Sequence, residues 1–232
     1  QGTSGLLRLN TPLLTIAGSA IGLLMGLAFY FDWLYLLSIP IILAVCYIAI
    51  YHIELLFQSI VFFAPLSINI EEYTDQFGLF VPSEPLLFGL MLLFAFYQLK
   101  SKLIDPQFFR HPLVLILVGY LAWLIICSIT STHPVVSFKS VLSRLWFIVP
   151  VLFFGTVLLY KEKSISRFFW LLTIGTVLVI LFTLLNHASY GFGEKESHWV
   201  MSPFYKDHTI YGAAVALVVP FPVMLFLMKK QV

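Results

Sequence analysis

Lys206, Asp207 and His208 put a base, an acid and an imidazole at consecutive positions, between Phe204-Tyr205 and Thr209-Ile210-Tyr211-Gly212. Such a trio can hold an anion, move a proton or orient a substrate hydroxyl. Neighbouring residues of an α-helix lie about 100° apart, so on a helix the three groups would diverge. A helix beginning near Thr209 leaves all three on the entering loop, where they can converge. A structural role fits equally: Asp207 as a helix cap, Lys206 among headgroups, Tyr205 and Tyr211 in an interfacial aromatic belt. A second set, His133, Lys139 and Arg144, precedes the apolar run Leu145 to Tyr160. Lys139 and Arg144 are about 140° apart around a helix and share no narrow stripe. Arg144 suits either paired hydrogen bonds to a phosphate or a side chain snorkelling to an interface. His133, beside Pro134, reads more simply as a loop residue. His187 and His198 take no role from their spacing. With no His-x3-His or similar spacing among the outer histidines, neither a metal nor a cofactor is expected.

The elements that must position these groups are apolar. The chain of 232 residues is 60% hydrophobic and only 10% charged, with a mean hydropathy of +0.98. Soluble domains carry about a quarter charged residues, so this composition implies an all-α, polytopic bundle of transmembrane helices with membrane lipids around it. A net charge of +2 gives no reason for a nucleic-acid partner. Cys46 and Cys127 fall inside apolar runs and imply neither a disulfide nor a metal framework.

About eight spans are expected. Arg8 and Asp32 enclose the first run, in which Gly18, Gly22 and Gly26 repeat at a spacing that suits helix–helix packing. A short link leads to the second, which reaches Ile53. The third, Leu55 to Ile70, contains Pro65 and either spans or re-enters. Glu71, Glu72 and Asp75 follow, then Pro82-Ser83-Glu84-Pro85, whose Pro85 suits a helix's first turn and whose Glu84 suits its positive end. The fourth run stops at Lys100 and Lys102, and the fifth opens at Pro112. The sixth is Leu145 to Tyr160, the seventh ends near His187, and the eighth, Thr209 to Met228, carries Pro220 and Pro222 as a kink. With the N-terminus in the cytoplasm, nine of the thirteen Lys and Arg residues lie inside, the expected bias. Lys139, Arg144, Lys195 and Lys206 are the four left outside, and the segments Lys139–Arg144 and Lys206–His208 are expected to meet there in one basic cavity.

The stretch from Phe204 to Gly212, before a Pro-broken span, resembles the O-antigen ligase and O-antigen polymerase superfamily. Pro82-Ser83-Glu84-Pro85 and the Pro134…Ser137-Phe138-Lys139…Arg144 stretch add to the resemblance by their order and spacing. The resemblance implies a metal-independent glycosyltransferase of the bacterial inner membrane. Its donor would be a glycan on undecaprenyl pyrophosphate, used at the periplasmic face. Its acceptor would be lipid A–core for a ligase, or another lipid-linked repeat for a polymerase. Lys139, Arg144, Lys206, Asp207 and His208 would then bind substrate, with His208 a weak catalytic candidate. Residues 1–201 would be N-terminal transmembrane helices and 202–232 the opening of a ligase-like domain. The chain starts with Gln1 and stops soon after an apolar run, so it reads as a piece of a longer protein. By the resemblance, the main catalytic Arg and His residues lie on a loop beyond Val232, and this piece alone would be inactive. The rival from another class is a transporter or lipid flippase, although no inverted repeat and no paired mid-span charges are present.

Overall fold

Hydrocarbon offers a polypeptide no hydrogen-bond partners, so a chain of this composition must satisfy its amides within helices. The computed structural model describes residues 11–70, 79–101 and 106–229, which are helical apart from turns and one two-residue ladder. Contacts divide the chain into two units, Gln1–Leu56 and Phe57–Val232.

In the first unit, α1 (Thr11–Tyr30) is followed by a 3-10 turn over Leu34–Leu37 and by α2 (Ser38–Tyr51). The link turns through Asp32, which adopts a left-handed φ of 54°, and Trp33 N–H donates to Ala28 O at 2.8 Å. Among the described residues, nothing lies within 4 Å of where a β-carbon would stand at Gly18, Gly22 or Gly26. That glycine face has no described partner.

Helix α3 (Ile53–Phe63) leads into the second unit, where it ends two residues before Pro65 instead of running on to Ile70. Strands β1 (Ile68–Asn69) and β2 (Phe80–Val81) then pair antiparallel, Ile68 with Val81 and Asn69 with Phe80. Glu71, Glu72 and Asp75 lie outside the described residues. After the ladder come α4 (Ser83–Ser101), α5 (Pro112–Ile129), α6 (Pro134–Leu158), α7 (Glu162–Ser189), α8 (His208–Val218) and α9 (Pro220–Lys229).

Four of these stretches are long and apolar enough to cross a membrane: α5, α6, α7 and the continuous His208–Leu227. About eight were expected from the sequence. At 1.5 Å per residue, α2 is about 21 Å long and α3 about 16 Å, both short of a core about 30 Å thick. Proline explains α3: its ring removes a donor and closes the helix, and the freed backbone passes into the ladder. Helix α6 departs in the other direction. It starts at Pro134, a residue suited to a first helical turn, and not at Leu145.

Two aromatic seams organise the second unit. Between α4 and α6, Phe94 stacks on Phe153 at 4.6 Å and Phe88 meets Trp146 edge-on at 5.8 Å. Between α3 and α7, Phe57 lies over Phe168 at 6.3 Å, and Arg167 donates to Gln58 Oε1 at 3.4 Å. Here a glycine is required. A β-carbon at Gly175 would come 2.5 Å from Phe62 O and 2.8 Å from the Pro65 ring. Helix α3 therefore stops beside Gly175, about 20 Å along α7 from Glu162.

The ladder is held by buried hydroxyls. Ser67 Oγ lies 2.9 Å from Phe63 O and 2.8 Å from Ser83 Oγ, and it accepts Ser83 N–H at 3.3 Å. Glu84 Oε2 accepts Phe80 N–H at 3.0 Å.

The close approach at Gly175 is directly testable. Gly175→Ala should lower the thermal midpoint of the detergent-solubilised protein, with an overpacking cost of about 1–3 kcal/mol. Gly119→Ala, where nothing described lies within 4 Å, should leave the midpoint unchanged or slightly higher, because Ala is the better helix former. Equal responses at both positions would remove the α3–α7 contact.

Candidate functional site

The loop after α7 is built to hold its backbone still. Gly191 (φ 67°) and Phe192 (φ 57°) reverse the chain in the left-handed region. Asn186 Nδ2 then donates to Val200 O at 2.8 Å, and His187 Nε2 lies 2.9 Å from Gly193 O. Val200 and Met201 are fully buried, Tyr190 meets Trp199 edge-on at 4.9 Å, and Phe204 meets Phe182 edge-on at 5.1 Å. Residues 202–207 thus arrive at α8 from a loop fixed to α7, within one packed unit.

Asp207 caps α8. Its Oδ1 accepts Thr209 N–H at 2.7 Å and Ile210 N–H at 2.9 Å. The Ile210 bond, then the Thr209 bonds and the nearby His208, hold its carboxyl below the usual 3.8. The structural role open in the sequence is the one observed, and with it the carboxylate is spent on backbone amides. The helix begins at His208, one residue before the expected start, so His208 is helical while Lys206 remains on the loop.

Lys206 is exposed and lines a cavity of about 400 Å³ with Ala64, Asn69, Phe80, Phe204, Tyr205 and Ile210. Most of these walls are apolar. Burial pushes the Tyr205 phenol above its usual range and the neighbouring Tyr211, 5.6 Å away ring to ring, adds to the shift. Tyr205 therefore serves as a neutral hydrogen-bonding group here. The cavity suits a ligand with an anionic or strongly polar end and an apolar body.

Arg144 lies elsewhere. Because α6 begins at Pro134, both Lys139 and Arg144 are helical and exposed, with no loop to bring them together. Arg144 Nη1 donates to Ser140 O at 3.1 Å and to Ser140 Oγ. Its side chain lines a second cavity, of about 370 Å³, with Glu84, Leu87, Tyr120, Ser143, Trp146, Phe147 and Ile148. The two cavities have no lining residue in common. One hydrogen bond links their linings, from Phe80 N–H of the first to Glu84 of the second. The structure thus gives two neighbouring cavities where a single basic one was expected, and Glu84 offsets the charge of Arg144 in the second.

His208 faces His198, Nδ1 to Nδ1 at 3.1 Å, with ring centroids 4.4 Å apart and planes at 80°. Ten positions separate them, which is no recognised spacing, so only the folded loop reveals the pair. Asn69 and Phe80 also escaped a role in the sequence, and Glu84 was placed there at a helix start but not in a cavity. The signal for the first two was Pro65 inside a run too short to be comfortable as a span. Among the described residues no group of three or more His, Cys, Asp or Glu side chains gathers as a metal site, and Cys46 and Cys127 are free and exposed.

No family model, curated protein or solved structure matches the chain. The fold itself defines the class: an α-helical membrane protein with at least four helices able to cross a bilayer.

Asp207 gives a clear test of cap against catalyst. Its carboxyl is depressed on folding, so its contribution to stability is complete above the unfolded value. That contribution fades as pH falls from about the usual 3.8 through the depressed folded value. Asp207→Asn should retain most of the stability, because Asn caps almost as well, and should lose this acid-side dependence. Asp207→Ala should melt earlier at neutral pH. Equal melting of Asn and Ala variants in detergent would rule out the capping role.

Proposed function

We propose that the protein is part of a bacterial lipid-linked glycan transferase of the O-antigen ligase type. It would take a glycan carried on undecaprenyl pyrophosphate and pass it to lipid A–core, or, as a polymerase, to another lipid-linked repeat. The observation that carries this reading is Lys206 at the wall of a largely apolar cavity, beside the start of a membrane-length helix. A lipid pyrophosphate has the same two parts. Its anion would take Lys206, with Tyr205 and Asn69 as neutral hydrogen-bonding neighbours, and its chain would lie against Phe80, Phe204 and Ile210. A cation there also favours a departing pyrophosphate, on which charge grows as the glycosyl bond breaks. His208, at the mouth of α8, is a candidate proton acceptor for the incoming hydroxyl.

In this reading the protein lies in the inner membrane with its N-terminus cytoplasmic, about eight segments enter the bilayer, and the cavities open to the periplasm. The direction of α4 supports it: Glu84 lines a cavity at one end, and Ser101, near Lys100, closes the other about 27 Å away. Ser197, close to Lys206 on the loop, belongs to the cavity end. Impermeant thiol reagents applied from the periplasm should therefore label a Ser197→Cys variant and spare Ser101→Cys. Labelling of both, or of Ser101→Cys alone, would invert or dissolve this orientation.

The donor site is tested with a photoreactive undecaprenyl-pyrophosphate glycan and the protein in nanodiscs. Crosslinking should map to residues 204–210 or to Phe80. Losing one charge-assisted hydrogen bond typically costs about 1.5–3 kcal/mol, so Lys206→Ala should reduce capture roughly ten- to a hundredfold. Lys206→Arg should retain much of it. Capture unaffected by Lys206→Ala would discard the site. Movement of the lipid across vesicles with no glycan transfer, in the presence of acceptor, would favour the flippase reading.

A further inference from the structure

We propose that His198 and His208 form a two-nitrogen site for a transition-metal cation of the Zn²⁺, Cu²⁺ or Ni²⁺ type, which clips the loop after α7 to the start of α8. Neither histidine lines the donor cavity; although His208 is also the proton acceptor proposed for glycan transfer, the metal site does not depend on that reading.

The geometry carries it. Imidazole nitrogens bind such ions at about 2.0–2.1 Å. Two nitrogens 3.1 Å apart then subtend about 95–100° at a shared ion, between the octahedral and tetrahedral angles. With both neutral rings as Nε2–H tautomers, both Nδ1 lone pairs are available to one cation and no proton is lost. Both rings are exposed, so an ion can reach them from solvent and water can fill its remaining positions.

Their backbones are held from both sides. The 3-10 turn Glu196–His198 is anchored by the Asn186–Val200 bond and the Tyr190–Trp199 contact, and His208 follows directly on the Asp207 cap. Little further ordering is needed to bring the nitrogens together. In sequence, the Asp207 carboxylate beside His208 favours a cation and Lys206 opposes it. With no third His, Cys, Asp or Glu ligand among the described residues, the site is open and exchangeable, unlike a closed four-ligand structural centre.

The test uses untagged protein in nanodiscs, titrated with Cu²⁺ and followed by electron paramagnetic resonance, with Zn²⁺ measured by chelator competition. One ion per chain should bind, with the Cu²⁺ signal split by two imidazole nitrogens. Removing even an outer-shell partner of a metal ligand commonly costs about tenfold in affinity, so His198→Ala and His208→Ala should each cost at least that. The double variant should be little worse than either single one, because one nitrogen alone cannot chelate. His198→Asn and His208→Gln, with helicity checked by circular dichroism, separate ligand loss from misfolding. His133→Ala should change nothing. A signal with fewer than two nitrogens, or an affinity unmoved in the double variant, would overturn the site.

Discussion

The structure depends on how the chain between α3 and α4 satisfies its backbone once it leaves helical geometry. Among apolar helices an unpaired amide or carbonyl is costly, so non-helical backbone there survives only with internal partners. The Ser67 and Ser83 hydroxyls, the two-residue ladder and Glu84 supply them. That network helps to hold Phe80 and Asn69 at one cavity and Glu84 at the other. Gly175 serves the same end from below, by letting the tip of α3 touch α7.

This network also decides how charge is distributed. Glu84 bonds back to Phe80 and so stays at the head of α4, within the cavity that Arg144 lines. Arg144 therefore shares its cavity with a carboxylate of opposite formal charge. Among the described residues that line the Lys206 cavity there is no carboxylate, and Asp207 accepts from the amides of α8. The proposed anion is assigned to the Lys206 cavity because its described lining joins an ammonium to a largely apolar wall.

Rigidity is uneven in a useful way. The loop from Tyr190 to Asp207 has no regular structure beyond one 3-10 turn, yet Val200 and Met201 are buried, and the Asn186–Val200 bond and the edge-on Phe182–Phe204 contact tie it to α7. Lys206 and the two imidazoles are exposed on that fixed frame. Their positions are set by backbone, and their side chains remain able to meet a ligand. Such an arrangement avoids the ordering cost a free loop would meet on binding.

Much of this was legible in the residues themselves. Apolar runs of about twenty residues specify helices because no other local structure satisfies a backbone in hydrocarbon, and Asp207 before Thr209 specifies a cap because its oxygen reaches amides two and three positions on. Pro65 and the shortness of its run announced that the third segment was uncertain as a span. What the sequence left open was every distance between segments. The early start of α6 moved Lys139 and Arg144 from a lead-in to a helix, since Pro134 is as good a beginning as any apolar residue after it. The linings of the two cavities are linked by a hydrogen bond from Phe80 to Glu84, and the meeting of His198 with His208 rests on a loop bonded back to α7. Those contacts join residues with no periodic relation, so only tertiary packing could decide them.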